Sequence, residues 1–188
     1  HHFHHSTIMK RILLLLFVLL AGTQTSVLGQ AERQKGPVIQ DYGGTYAVDD
    51  PDYHMDPEME YKVVFDITYS PEKPGELNKA LETPVRFLNM HVGAGKERST
   101  LRPVMVVHGG ASYGLLKNEH YKEKYGVDNP NTDLIAQLVE AGVEIYLCGQ
   151  TAAHRNLSEE RRLPGIGVSL SAMTILIELQ QQGFTTIT

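Results

Sequence analysis

The sequence predicts an α/β domain built on a mostly parallel sheet of five strands. Three observations carry this. Short β-branched or apolar runs alternate with segments of helical spacing over roughly the last 130 residues, the pattern of a parallel sheet with crossover helices. The run "RPVMVVHGG", Arg102 to Gly110, is continuously apolar and stops at two glycines, as a strand buried on both faces does. Helix-start and helix-stop residues flank the segments between runs, Asn131 or Thr132 and then Gly142 most plainly.

In chain order, "YKVVFDITYS", Tyr61 to Ser70, is β-branched and aromatic, and reads as the first strand. Leu77, Ala80, Leu81, Val85, Leu88 and Asn89 then recur at helical spacing. Pro84 interrupts that pattern, as a kink or as the start of a second helix, and Gly93 and Gly95 end it. Arg102 to Gly110 is the second strand. "ASYGLLKNEHYKEKYGVDNPN" reads as a polar loop with a helical middle, and "NTDLIAQLVEAG" as a helix. "VEIYLCGQ" is the third strand, "TAAHRNLSEERR" is helix-like, "GIGVSLS" is a short fourth strand, "SAMTILIELQQQG" a helix and "FTTIT" a last strand. On the last helix, Ala172, Ile175, Leu176 and Leu179 form one apolar face, while Met173 and Ile177 fall outside it.

The N-terminal part reads differently. "HHFHHSTI", residues 1–8, looks like a tag or upstream remnant. From Met9, Lys10 and Arg11 precede the apolar run Ile12 to Ala21, which falls short of the ~20 residues of a spanning helix. "SVLG" then offers Val27 and Gly29 as the small residues before a cut. Residues 9–29 therefore read as a secretory signal peptide, with an anchor helix as the alternative, and the mature chain is expected to start at Gln30. An exported, periplasmic or secreted protein with no membrane attachment after cleavage is the expectation. Residues 30–60 are expected to be an acidic, largely looped extension, and residues 61–188 the α/β domain. The acidic cluster from Asp49 to Glu60 lacks the Asp-x-Asp-x-Asp-Gly spacing of a calcium loop.

Composition narrows the function. The formal charge of −5 falls to −7 without Lys10 and Arg11, with 15 basic against 22 acidic residues, which argues against a nucleic-acid surface. "HVGAGKERST" lacks the first glycine of a phosphate loop, and no Gly-x-Ser-x-Gly elbow accompanies "HGGASYG". Beyond the leader the histidines are His54, His91, His108, His120 and His154, none closely paired with another histidine or a cysteine. No metal or cofactor is predicted, although His108, Cys148 and His154 could converge.

Cys148 is the single cysteine of the chain, so it cannot form an internal disulfide. It ends the third strand, and His108, Gly109 and Gly110 end the second. Ligands of open parallel sheets bind outside the carboxyl ends of strands. If the two strands are neighbours, His108 and Cys148 share a crevice. Thr151 is a plausible helix cap, which would set Cys148 near free backbone N–H groups and the positive end of a helix, and both favour a thiolate. His154 and Arg155 follow and could add positive charge. A cysteine at a strand end also fills cores well. The residues alone leave both readings open.

In combination, "VMVVHGG" (104–110), "LIAQLVEAGVEIYLCGQTAAHR" (134–155) and "LPGIGVSLSAMTILIELQQQGF" (163–184) resemble the DsrE/DsrF-like family of sulfur-relay proteins over residues 61–188. The resemblance implies a three-layer α/β/α sandwich and assembly as a trimer or hexamer. It also implies that a strand-end cysteine accepts a persulfide sulfur and passes it on, and that cysteine falls on Cys148. His108, Gly109, Gly110, His154 and Arg155 would support it, and the partners would be sulfur donor and acceptor proteins or small polysulfides. Any activity would be that of a persulfide carrier or transferase and not of a turnover hydrolase. The alternative is a non-catalytic oligomeric domain that binds a small ligand or protein and keeps Cys148 for structure.

Overall fold

Five strands form one parallel sheet: β1 Tyr61–Ile67, β2 Leu101–Val107, β3 Glu144–Cys148, β4 Ile166–Ser169 and β5 Thr185–Ile187. Their spatial order is β4-β3-β2-β1-β5. The chain winds outward from β1 to β4 and returns to the far side of β1 for its last strand. The computed structural model describes residues 31–188, and the compact unit formed by them runs from Arg33 to Thr188. The remnant expected at 1–8, the leader expected at 9–29 and the mature start expected at Gln30 lie outside the described residues.

The helices are α1 Lys79–Gly93, α2 Asn118–Tyr125, α3 Thr132–Glu140, α4 Gly149–Arg155 and α5 Ala172–Gln181. Strand alternation sorts the sheet's side chains into two cores. Val63, Phe65 and Ile67 of β1, with Met105, Val107, Ile145 and Leu147, pack against Leu81, Val85 and Leu88 of α1 and Leu134, Ile135 and Leu138 of α3. Burial of each leucine is worth about 1.5–3 kcal/mol. On the other face Val64, Val104, Val106 and Cys148 meet Ala172 and Phe184, with Ile175, Leu176 and Leu179 of α5 over them. Helices thus cover both faces, giving the three-layer α/β/α sandwich with a five-stranded parallel sheet.

Local signals mark most boundaries. Asn78 caps α1 by accepting the Ala80 N–H, and Pro84 stands inside that helix without dividing it. Asn131 begins α3, but its side chain does not cap it. Asn131 instead accepts the Asn78 N–H and donates to Asn129, which donates to the carbonyls of Gly114 and Leu116. These three buried asparagines tie together the start of α1, the start of α3 and the 3-10 turn Gly109–Leu115 that follows β2. The carboxyl edge of the sheet is thereby held by satisfied buried amides, which are costly to leave unpaired.

Part of the segment expected as an acidic, largely looped extension, residues 30–60, lies on the domain. Residues 33–45 pack on the domain: Ile39 is buried in the larger core, and Gln34 bridges Thr45. Buried Asn89 accepts the N–H groups of Val38 and Ile39 and donates to the carbonyls of Ile39, Tyr42 and Gly43. Gly43 N–H also donates to Glu82. One asparagine amide replaces the partners that a looped backbone needs when it is buried.

Candidate functional site

The carboxyl ends of β2 and β3 lie side by side. Val107 pairs with Leu147, so His108 and Cys148 are the next residues on neighbouring strands. Alternation puts Cys148 on the α5 face, in the small core with Val64 and Val106. Asp66, two residues beyond Val64 on β1, and His108, two beyond Val106, share that face, and the His108 Nε2–H donates to the Asp66 carboxylate at 2.7 Å. Asp66, His108 and Cys148 therefore come from three successive strands at one edge of the sheet.

Two helices begin at the sulfur. Cys148 is itself the N-cap of α4, and Ala172 is the first residue of α5, capped by Ser171 through the Thr174 N–H. Cys148 is 5% exposed. Burial alone would push its thiol up, but the Thr151 N–H, the Thr151 hydroxyl, the Ala172 N–H and the Gln150 N–H together outweigh burial and hold the thiol below its ordinary value. The Cys148 side chain itself closes no cap hydrogen bond. Gln150 and Thr151 are the second and third residues of α4, whose N–H groups a capping side chain normally takes. The sulfur stands where an aspartate or serine oxygen would stand, and the orphan amides of a helix start favour an anion there.

The chain must pass closely to build this arrangement. A Cβ on Gly149 would lie 2.4 Å from the Ser169 carbonyl oxygen and 3.1 Å from that of Leu170. Only glycine lets α4 start against the β4–α5 connection. Gln150 donates its side-chain amide to the Leu170 carbonyl at 3.2 Å, tying the same connection to α4. On the β2 side, Gly109 has φ +57°, and the Ala111 N–H donates to Thr68 just past β1. A Cβ on Gly110 would press on Ser70 at 3.1 Å. The two glycines bring the turn after β2 down onto the end of β1, beside the Asp66–His108 pair.

The other residues singled out in the sequence sit apart from the sulfur. The Arg155 guanidinium stacks over the Tyr113 ring at 4.7 Å. His154 is exposed in the last turn of α4. The groups that lower the thiol are backbone amides and the Thr151 hydroxyl. The helix starts at Gly149 with Cys148 as its cap, and not after Thr151. Among the described residues no three of His, Cys, Asp and Glu gather as a metal site would require. Sequence reasoning passed over Asp66, although an acid at the penultimate position of an apolar strand was a visible signal. It also passed over Ala172, whose contribution is a backbone N–H that no residue type announces.

The DsrE/DsrF-like family model matches residues 62–188. The chain belongs to the DsrE/DsrF-like family. Among solved structures it is similar to that of the protein of unknown function MTH1491 from Methanobacterium thermoautotrophicum, at 20% identity and TM-score 0.51, over 68% of this chain and 97% of that one. The crystal structure of ychN protein from E. coli is matched at 16% identity and TM-score 0.47, over 68% and 99% of the two chains. The first likeness supports the fold. No curated protein matches. Membership of this family gives the domain a sulfur-relay-related role in general terms.

Proposed function

We propose that this DsrE/DsrF-like domain handles sulfane sulfur on Cys148, as an exported persulfide carrier. The observation that carries the reading is the place of Cys148 at the carboxyl end of β3, as the N-cap of α4 and packed against the first residue of α5, with the Asp66–His108 pair at the ends of the neighbouring strands; the amide and hydroxyl donors there favour the thiolate over the effect of burial. A cysteine that merely filled the core would be pushed up by burial. The thiolate is the nucleophile in sulfur exchange. In the reaction proposed, the Cys148 thiolate attacks the outer sulfur of a donor persulfide, R–S–SH. A new S–S bond forms at Cys148, the donor's own S–S bond breaks with its electron pair going to R–S⁻, and Cys148–S–SH results. R–S⁻ takes up a proton as R–SH, and the persulfide, once ionised, gives its outer sulfur to an acceptor by the reverse exchange. In this scheme His108, which is bonded to Asp66 at the end of the neighbouring strand, delivers that proton. No cofactor or metal takes part in this scheme.

Export rests on the leader read in residues 9–29, and amino-terminal sequencing of secreted material tests it: a chain starting near Gln30 supports it and an uncleaved chain refutes it. Assembly as a homotrimer or hexamer is part of the same reading. It is supported by α5, where Met173 is 73% and Ile177 57% exposed, beside Leu170 at 73%. Isolated apolar residues need no cover, but a group of this kind on one helix face invites a second surface.

One observation favours the non-catalytic alternative: Cys148 packs among Val64, Val106 and Phe184. Incubation with polysulfide followed by intact mass separates the two. The carrier gains the mass of one sulfur, the gain is reversed by a thiol reductant, and Cys148→Ser gains none. A native chain that takes up no sulfur refutes the carrier reading.

A further inference from the structure

A second site lies away from the sulfur and shares no lining residue with it. A cavity of about 1000 Å³ opens between the segment after Gly44, helix α1 and the edge strand β5. Its walls include Tyr46, Tyr53, Met59, Phe87, Met90 and Ile187, and all of these except Phe87 are exposed. Exposed aromatic and methionine side chains grouped around one concavity mark a surface for an apolar ligand. The volume is at the upper end of the range of ligand pockets.

The charges around this cavity run against those of the whole chain. Arg33, Arg86 and Lys62 line it with a single carboxylate, Glu60, in a chain of formal charge −5. Glu60 lies 3.8 Å from Lys62 and also 3.8 Å from Arg102. Among the described residues, neither Arg33 nor Arg86 has a carboxylate within ion-pair distance. Arg33 lies over the Tyr46 ring at 5.6 Å, and Arg86 donates to the Thr83 hydroxyl. Glu82, one turn before Arg86, is bonded to the Gly43 N–H and to Lys79. The Gly43–Gly44 turn brings the two arginines' segments together: a Cβ on Gly43 would lie 2.7 Å from the Arg86 backbone nitrogen, and one on Gly44 3.6 Å from the Arg33 Cδ. Guanidinium groups are built to take a carboxylate as a planar, two-pronged partner.

We propose that this cavity binds an amphipathic acid, with its carboxylate on Arg33 and Arg86 and its apolar body among Tyr46, Phe87, Met90 and Ile187. The test is calorimetric titration of the full chain with laurate, kept below its micellar concentration, and with dodecylammonium, which has the same tail and the opposite charge. The expected result is one laurate per chain, with dodecylammonium and the Arg33→Gln and Arg86→Gln variants each weaker by about tenfold, the worth of one charge-assisted contact. The alkylation rate of Cys148 in both variants reports that they are folded. If Arg86→Gln fails that control, Arg33→Gln decides alone, and if both fail it, the comparison of the two ligands on the unaltered chain decides. No heat with laurate, equal binding of both ligands, or folded variants that bind laurate as the unaltered chain does would each overturn the proposal. So would a self-associated chain that excludes laurate, because a second copy would then occupy the cavity.

Discussion

Replacing Thr151 by valine removes one donor from the sulfur and changes little else. The two side chains have nearly the same shape, and the Thr151 N–H stays in place. The lost hydroxyl is a donor to a charged acceptor, worth ~1.5 kcal/mol at the lower end of its range, which suits a half-buried residue. That energy raises the thiol by about one unit, because a unit is ~1.4 kcal/mol. At any pH well below both midpoints the thiolate fraction then falls about tenfold, whereas the more basic thiolate gains about threefold in intrinsic reactivity for a Brønsted slope of 0.4–0.5. The alkylation rate on that rising limb should fall about three- to fourfold, and the plateau rate at high pH should rise. The assay is the pH dependence of labelling by a small haloacetamide under native conditions, with Cys148→Ser as the blank. Thr151→Ser keeps the hydroxyl and should keep the original midpoint. An unchanged midpoint in Thr151→Val, or a serine variant that behaves like the valine one, would refute the assignment of the hydroxyl as a thiolate donor.

Other expectations follow from the same geometry. Gly149→Ala forces a methyl group onto the Ser169 carbonyl and should cost about 1–3 kcal/mol in urea unfolding; an unchanged midpoint would show that the β4–α5 connection yields freely. Asn89→Ala strands the buried backbone of residues 38–43 and should cost about 3 kcal/mol, with proteolysis opening between Arg33 and Thr45. The thiol also makes stability depend on pH. Its folded value lies below the unfolded ~8.5, so its contribution is complete above ~8.5 and is lost as pH falls through the folded value. The stability of the chain relative to Cys148→Ser should therefore rise with pH through that window and then level off; a flat or falling difference in urea titrations would contradict it. Met173→Asp with Ile177→Asp should yield monomers in sedimentation, and an unaltered chain that is already monomeric at micromolar concentration would count against assembly through α5.

The sheet was legible because its strands are chemically plain. β1, β2 and β3 are apolar runs with glycine or polar stops, and the unbroken apolar run Pro103 to Val107 of β2 is buried throughout, as a central parallel strand is. The inward face of α5 was also legible, since Ala172, Ile175, Leu176 and Leu179 meet the sheet and Met173 and Ile177 do not. The site was only half legible. Position alone marked Cys148, but the helix start was placed three residues late because threonine is a better cap than cysteine by type. The thiol's environment depends on the Ala172 N–H, delivered by a connection that must touch Gly149, and such a contact leaves no mark in local sequence. Docking of residues 33–45 was hidden for a related reason. Val38, Ile39 and Tyr42 are isolated within a polar, turn-rich stretch, and the partner of Ile39 is an asparagine fifty residues away.

The central claim is that Cys148 is held as a reactive thiolate although nearly buried. Native titration of that thiol tests it most directly. The account predicts labelling without denaturant, with a midpoint below the free value of ~8.5, and transfer of one sulfur from polysulfide to the same atom. A thiol that reacts only after unfolding, or with a midpoint above the free value, would contradict the account and leave Cys148 as a packed residue of the smaller core.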